Sequence, residues 1–110
     1  MERFQNGKMM RIFVDEHDRH GVEPLYTAVV EMLRKRGVAG ATVLRGIEGF
    51  GAHNRIHVAK PFSAAPNSPV LIEVVDEEER LRALLPELET MIGEGLISLE
   101  NIAYLPLRRA

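Results

Sequence analysis

The feature that most constrains the fold is a polar segment of about twenty residues that divides the chain into two similar halves. It follows Ile47, the last apolar residue of one strand pattern, and it ends where the next apolar run starts, at Val70. Glycines near its start and prolines near its end break regular structure. Ordinary connections are far shorter, so a segment of this length indicates a binding loop or disorder. We therefore treat residues 48–68 as a long loop.

The half before the loop predicts a strand, a helix and a strand. Apolar and polar residues alternate from Met9 to Asp15, with apolar side chains on both faces, which is typical of an inner strand. Helical spacing follows from Pro24 and stops near Gly37, with basic residues at the negative end of the helix dipole. The aliphatic and β-branched run Thr42–Ile47 predicts the second strand.

The half after the loop repeats this order. Val70–Val75 predicts a third strand, and Asp76 then predicts the N-cap of a helix with a capping box. Pro86 should break or bend that helix because proline removes a backbone donor and clashes with the preceding turn. Leu96–Leu105 predicts a final strand, interrupted near Glu100.

Two βαβ units of this size predict an α+β fold of the ferredoxin-like type, βαββαβ, with a four-stranded antiparallel sheet and two helices on one face. We expect one domain over residues 9–106, a flexible N-terminal leader at 1–8 and a C-terminal tail at 107–110. The strands carry apolar side chains on both faces, so the face without helices should contact another copy of the chain. Homo-oligomerisation is therefore a hypothesis.

Composition excludes several classes of function. The chain has 110 residues, a net charge of -2 and a pI near 6.1, which argues against nucleic-acid binding. It has no cysteine, which excludes disulfides and thiolate metal sites and fits a cytoplasmic location. No apolar run reaches the ~18–20 residues that span a bilayer, so direct membrane insertion is not expected.

Glycines next to Arg45 and Phe50 are the first candidate for chemistry. Backbone amides at Gly46, Gly49 and Gly51 could approach a phosphate, as in glycine-rich turns. From spacing alone, the favoured interpretation is that these glycines only let the strand bend and leave the sheet. Neither a Walker sequence nor a GxGxxG leading into a helix is present, so neither standard nucleotide fingerprint applies.

Histidines in the loop are the second candidate. His53 and His57 are four residues apart, a spacing that on a helix would allow both to bind one divalent metal. Glycine and proline around them argue against a helix, so solvated loop histidines are favoured and no metal is predicted. If these histidines do have a chemical role, the chain would be a small enzyme or a metal- or anion-handling protein that uses Arg45, His53, Arg55 and His57 in a cleft between subunits. This is the alternative to a protein without catalytic activity. His17 and His20 flank a polar turn and should lie on the surface.

Glu73 is an unusual carboxylate because it stands inside an apolar strand. Either it pairs with Arg11 or Arg45 of a neighbouring strand across a subunit interface, or it occupies an exposed edge position.

Three stretches carry a resemblance to a known family: Thr42–Gly51, Ile56-His57 and Pro69–Arg80. Through them the chain resembles the small prokaryotic PII-like signalling proteins, which are related to the nitrogen regulatory PII proteins, and the likeness runs from about Lys8 to Leu105. The resemblance implies a ferredoxin-like subunit that assembles as a trimer.

The same resemblance suggests a ligand and a partner. PII regulators bind adenine nucleotides in clefts between subunits, and a Gly-Phe-Gly turn that lies beside the phosphates is matched here by Gly49-Phe50-Gly51. A second nucleotide element, Gly-Asp-Gly-Lys, is matched by Gly93–Leu96, in which the lysine is absent. Genes of the family are often found beside those for fluoride exporters, so the loop could meet a membrane transporter.

The sequence therefore predicts a non-enzymatic regulatory protein that binds a small ligand at subunit interfaces. An adenine nucleotide or an anion is the candidate ligand, and no cofactor is otherwise required. The predicted ligand-binding residues are Arg45, Gly49, Phe50, Gly51, Arg55 and His57.

Overall fold

The computed structural model describes residues 3–50, 57–58 and 68–107. The helices are α1 (Leu25–Lys35), α2 (Glu78–Ala83) and α3 (Leu85–Ile92). The strands are β1 (Gln5–Asp15), β2 (Arg19–His20), β3 (Glu23–Pro24), β4 (Ala41–Arg45), β5 (Glu48–Gly49), β6 (His57–Val58), β7 (Pro69–Asp76) and β8 (Leu96–Tyr104).

Four long strands form one antiparallel sheet in the order β4-β7-β1-β8. Strand β1 lies between β7 and β8, as its apolar residues on both faces predicted. The predicted ferredoxin-like βαββαβ arrangement is confirmed, with the two short pairs β2-β3 and β5-β6 added at its connections. Successive side chains of each strand point to opposite faces of the sheet. The pairing register aligns these side chains across the strands, so that one face is covered by the helices and the other is open.

The covered face of the sheet forms the core with the helices. Buried side chains alternate along β1 at Met10, Ile12 and Val14, and along β7 at the residues that pair with them. From the helices, the core receives the apolar side chains that repeat at helical spacing in α1 and leucines from the segment that contains α2 and α3. The buried hydrophobic residues of the helices are Leu25, Ala28, Val29, Met32, Leu33, Leu81, Leu84 and Leu88.

Pro86 divides the second helix, as predicted. Helix α2 ends at Ala83, Leu84 stands between the two segments, and Pro86 lies in the first turn of α3. A proline is tolerated there because the first backbone N–H groups of a helix have no partner within it. Leu81, Leu84 and Leu88 nevertheless remain buried, so the break does not remove the helix from the core.

The predicted cap at Asp76 is wrong. Asp76 still belongs to β7, where it pairs with Lys8, so the helix starts later and its N-cap is Glu77, which makes no side-chain capping bond. The Asp76 carboxylate instead accepts a hydrogen bond from the Glu77 backbone N–H at 2.7 Å and lies 3.4 Å from the Arg80 guanidinium.

Two predicted strand limits are also wrong. Strand β1 begins at Gln5, inside the predicted leader, because Gln5 and Lys8 pair with Tyr104 and Asn101. The same pairing keeps β8 continuous through Glu100, where an interruption was predicted. In the predicted loop, Glu48–Gly49 and His57–Val58 form a short antiparallel pair, while 51–56 and 59–67 lie outside the described residues.

Within the described ranges, no helix is long and apolar enough to cross a bilayer.

We predict that Ile72→Ala lowers the free energy of unfolding by about 2–5 kcal/mol, because Ile72 is fully buried at the centre of β7 and its truncation leaves a cavity. Urea denaturation measures this change. Val22→Ala is the control, since Val22 is fully exposed. Equal stability of the two variants would contradict the proposed core.

Candidate functional site

The base of the long loop is where three parts of the sheet end together. Strand β4 ends at Arg45, β7 begins at Pro69, and a turn follows β1 at Glu16. The backbone N–H of Gly46 donates to the Pro69 carbonyl at 2.7 Å, and that of Glu16 donates to the Ser68 carbonyl at 2.9 Å. These bonds extend both ladders by one residue, so the start and the end of the loop are held side by side.

Gly46 is required by packing. A Cβ atom at this position would lie 2.7 Å from Cγ of Pro69, closer than two carbon atoms approach, and the proline ring cannot rotate away. A Cβ atom at Gly49 would lie 3.4 Å from the same Cγ of Pro69. Of the two roles left open by the sequence, a structural one is therefore established for Gly46, which lets the chain pass over Pro69.

Arg45 is anchored at this position by Glu16. Nη2 of Arg45 donates to Oε1 of Glu16 in an ion pair that joins the end of β4 to the turn after β1. The two partners differ in exposure, since 60% of the Arg45 side chain is accessible to solvent but only 9% of the Glu16 side chain. The guanidinium thus remains available to a ligand, while the carboxylate is almost enclosed.

Two buried polar atoms at the same place have no hydrogen-bond partner among the described residues. They are Oε2 of Glu16 and Oγ of Ser68, and Ser68 is fully buried. Unpaired buried polar atoms are rare in native structures, because each costs the free energy of its lost hydration. Their presence beside the predicted ligand site makes them candidates for a functional role.

The predicted site residues are only partly described. Gly49 pairs with His57 through the backbone, and Phe50 follows with 70% of its surface exposed. Gly51 and Arg55 lie outside the described residues, as does His53 of the alternative site, and the side chain of His57 is not described either. Over the ranges that are described, no group of three or more His, Asp or Glu side chains could hold a metal ion.

The second predicted nucleotide element lies at the opposite edge of the sheet. Gly93, Gly95 and Leu96 line an open cavity of about 250 Å³ between α3 and the start of β8, and Glu89 is the charged residue among those lining it. Leu96 is 60% exposed and offers no positive charge where the PII proteins have lysine. Since β4 and β8 are separated by three strand spacings, Arg45 and Leu96 of one chain are about 14 Å apart.

An adenine nucleotide fits this arrangement in part. The exposed guanidinium of Arg45 and the exposed ring of Phe50 suit a phosphate and an aromatic base, respectively. The cavity beside Leu96 could enclose an apolar part of a ligand but could not neutralise a phosphate. Of these groups, Arg45 is the one that could neutralise a phosphate.

Glu16 and Ser68 were missed by sequence reasoning. Glu16 was treated as part of a polar turn, and Ser68 as the end of the loop. Their only signal is position: each flanks a strand end, and the antiparallel pairing of β1 with β7 puts them opposite each other. His17 and His20 are exposed, as predicted.

The open face of the sheet carries the ion pair that the sequence suggested for Glu73. Nε of Arg11 lies 3.0 Å from Oε2 of Glu73, and Nη1 lies 2.8 Å from Oε1 of Glu100. These hydrogen bonds, first to Glu73 and then to Glu100, raise the pKa of Arg11 above its ordinary value. The predicted partner is thus correct, but the pair forms within one chain.

Comparison with known families agrees with this architecture. Residues 7–104 match the family DUF190, described as uncharacterized ACR. The chain belongs to the DUF190 family. A UPF0166 protein of Aquifex aeolicus is 36% identical over 100 residues, covering 91% of this chain and 94% of the relative. A UPF0166 protein of Methanocaldococcus jannaschii is 36% identical over 91 residues, covering 82% and 83%.

Solved structures with the same fold are PII-like, so the predicted resemblance is confirmed. CPII of Thiomonas intermedia K12, a nitrogen regulatory PII-like protein solved with ADP, AMP and bicarbonate, aligns with a TM-score of 0.64 and 17% identity, covering 92% of this chain and 90% of CPII. A protein of Thermus thermophilus described as PII-like and signaling aligns with a TM-score of 0.65 and 18% identity, covering 94% of each chain. At these identities the likeness establishes the fold.

We predict that Gly46→Ala destabilises this DUF190 protein by about 1–3 kcal/mol, because the new methyl group would overlap Pro69. Thermal unfolding measures the effect. Gly40→Ala is the matched control, since a Cβ there would meet nothing within 4 Å. If both substitutions had the same effect, the close approach of Gly46 to Pro69 would not be a constraint.

Proposed function

We propose that this protein is a non-enzymatic, PII-like regulatory protein that binds a small anionic ligand at the base of its long loop. The observation that carries the proposal is the exposed Arg45 guanidinium at the end of β4, a few residues before Gly49 and Phe50, on a PII-like fold. The proposed ligand-binding residues remain Arg45, Gly49, Phe50, Gly51, Arg55 and His57. The DUF190 family and the PII-like neighbours support a regulatory role.

The open face of the sheet supports assembly into a trimer. One row of large apolar side chains crosses all four strands on that face, at the end near the loop, and its members pair in register: Leu44, Leu71, Phe13 and Leu96. Phe13, Leu44 and Leu96 are 39%, 44% and 60% exposed. A continuous exposed apolar row indicates a protein contact, and another copy of the chain is the proposed partner.

A ring of subunits would also complete the ligand site. In one chain, Arg45 at the end of β4 and the Gly93–Leu96 element that leads into β8 are at opposite edges of the sheet but at the same end of it. A closed head-to-tail ring brings two different surfaces of neighbouring subunits together, and in the proposed ring these include the β4 edge of one subunit and the β8 edge of the next. We therefore place the ligand between subunits.

A phosphate or another oxyanion is the proposed ligand group, with an adenine nucleotide as the first compound to test. A guanidinium binds oxyanions through two parallel hydrogen bonds, and glycine backbones expose amide donors without a side chain in the way. CPII was solved with ADP, AMP and bicarbonate, which suggests the same compounds as probes for this chain. With Leu96 in place of the PII-type lysine, we expect micromolar or weaker affinity for nucleotides.

Residues 48–68 are the proposed contact with a partner protein. The candidate partner is a membrane transporter, which this protein would contact from the cytoplasm. At the start of this segment, Ile47 and Phe50 are 82% and 70% exposed. Large apolar side chains at the root of a loop can anchor a partner. The loop root therefore supplies both an apolar contact and a charged ligand group.

We favour regulation over catalysis because the described tyrosine and carboxylate with a shifted pKa lie away from the loop; Arg11, whose pKa is raised, stays protonated and cannot act as a base. The pKa of Tyr104 is raised by burial, and the pKa of Glu78 is lowered mainly by its hydrogen bond from Arg82. Both residues are at the end of the sheet opposite the loop, whereas a catalytic site at the loop would need such groups beside Arg45.

We predict a particle of about three times 12.4 kDa by light scattering, because covering the apolar row removes it from water. Leu71→Glu should dissociate the assembly, since it puts a charge in the middle of that row. Val22→Glu, at a fully exposed position, is the control and should leave the mass unchanged. A wild-type monomer at all concentrations would refute the assembly.

We also predict that wild-type protein binds ADP or ATP in calorimetric titration and that Arg45→Ala weakens binding about 10- to 100-fold, the effect of losing one charge-assisted contact. Arg55→Ala tests the second proposed cation. Arg34→Ala, an exposed arginine in the last turn of α1, is the control. Unchanged affinity in Arg45→Ala would place the site elsewhere.

A further inference from the structure

We propose that Glu16 is a latch on the ligand site, which competes with the bound anion for Arg45 and transfers to Ser68 when the anion takes Arg45. This inference rests on the proposed function, because it describes how the same site is regulated. It concerns a residue outside the predicted Gly-Phe-Gly turn and assigns a role to both unpaired buried atoms.

The first step of the argument is the asymmetry of the ion pair. Arg45 is mostly exposed, so water can solvate its guanidinium if the pair opens. Glu16 is about nine-tenths enclosed, and its second carboxylate oxygen has no partner among the described residues. A buried carboxylate that loses its cation is strongly destabilised, so Glu16 holds Arg45 more firmly than an exposed carboxylate would.

The second step is that an alternative donor stands beside Glu16. The backbone N–H of Glu16 bonds to the Ser68 carbonyl at 2.9 Å, one residue beyond the pairing of Asp15 with Pro69. Residues opposite each other in an antiparallel pair project to the same face, with Cβ atoms about 4.5–5.5 Å apart. The Ser68 hydroxyl is buried and bonds to no described residue, and this geometry brings it within reach of the Glu16 carboxylate after a rotation of the glutamate side chain.

These two partners give Glu16 two states. Without ligand, Arg45 occupies one carboxylate oxygen, and the Ser68 hydroxyl makes no hydrogen bond within the described part of the chain. When an anion binds Arg45, the Ser68 hydroxyl donates to Glu16 and reduces the cost of releasing it. The free energy needed to break the Glu16–Arg45 ion pair makes the free energy of ligand binding less favourable. The strength of this ion pair therefore sets the ligand concentration at which the site is occupied.

The latch is connected to the helix layer. The turn that carries Glu16 is fixed by Asp18, whose carboxylate accepts the Asp15 backbone N–H at 2.9 Å. The Asp18 carbonyl in turn accepts the backbone N–H of Leu25, the first residue of α1, at 2.8 Å. A change at Glu16 can thus reach the start of α1 through two hydrogen bonds.

The test is calorimetric titration of ADP, and separately of bicarbonate, into the wild type and five variants: Glu16→Gln, Ser68→Ala, Arg45→Ala, the double variant Glu16→Gln/Arg45→Ala, and Glu87→Gln. Glu16→Gln keeps the side-chain shape but removes the charge that holds Arg45, so binding should tighten about tenfold. Ser68→Ala removes the alternative donor, so binding should weaken about three- to tenfold. In the Arg45→Ala background, Glu16→Gln should have no effect on affinity. Glu87→Gln, which removes a carboxylate paired with Arg36 on the helices, is the control and should leave affinity unchanged.

Three outcomes would overturn the latch. Weaker binding by Glu16→Gln would mean that Glu16 positions Arg45 instead of competing for it. Tighter binding that persists without Arg45 would mean that Glu16 acts only through its negative charge. Unchanged or tighter binding by Ser68→Ala would remove the second state.

A thermal double-mutant cycle of Glu16→Gln and Arg45→Ala, without ligand, separates failure of the latch from failure of the proposed function. We expect the two substitutions to be coupled by about 2–4 °C in Tm. Additive shifts with ligand binding intact would refute the latch alone. If the two substitutions are coupled but neither the wild type nor Glu16→Gln binds ADP or bicarbonate at millimolar ligand concentration, both the proposed function and the latch are refuted.

Discussion

The pairing of β1 with both β7 and β8 is the constraint on which the rest of the structure depends. It puts β1 in the centre of the sheet and assigns each of its residues to one face. Met10, Ile12 and Val14 then face the helices and are buried, whereas Met9, Arg11 and Phe13 face the open side. A slip of one residue would exchange these two sets and bury Arg11 in the core, so the register is strongly determined.

The same register creates the site. Because β1 and β7 are antiparallel, the end of β1 meets the beginning of β7, and Glu16 and Ser68 become neighbours although the sequence separates them widely. Strand β4 runs antiparallel to β7 on its other side, so Arg45 arrives at the same end of the sheet. The loop root is therefore a product of sheet topology, with Gly46 allowing the chain to pass Pro69.

Local pattern was sufficient for most of the fold, because the alternation from Met9 and the break at Pro86 are determined by neighbouring residues. The cap at Asp76 was wrong for the opposite reason: its pairing with Lys8, distant in sequence, keeps it in the strand. For the site, the sequence supplied Arg45 and the glycines through spacing and family resemblance. It could not supply Glu16 and Ser68, the residues of the proposed latch. A glutamate in a polar turn and a serine before a proline are common surface residues, and only the fold buries these two together. Burial is a property of the folded chain that no local window contains.

The open face bears on both assembly and ligand binding. Its apolar row lies at the end of the sheet near the loop. In the next row Arg11 stands between Glu73 and Ser98, and its guanidinium also bonds to Glu100, two residues further along β8. Covering this face in the proposed ring removes apolar surface from water while the charged row keeps its hydrogen bonds within one chain. Since the proposed ligand site draws on the β4 edge of one subunit and the β8 edge of the next, ligand binding and assembly are linked. A ligand that binds only the completed cleft favours the ring by mass action, and the ring raises ligand affinity by the same factor.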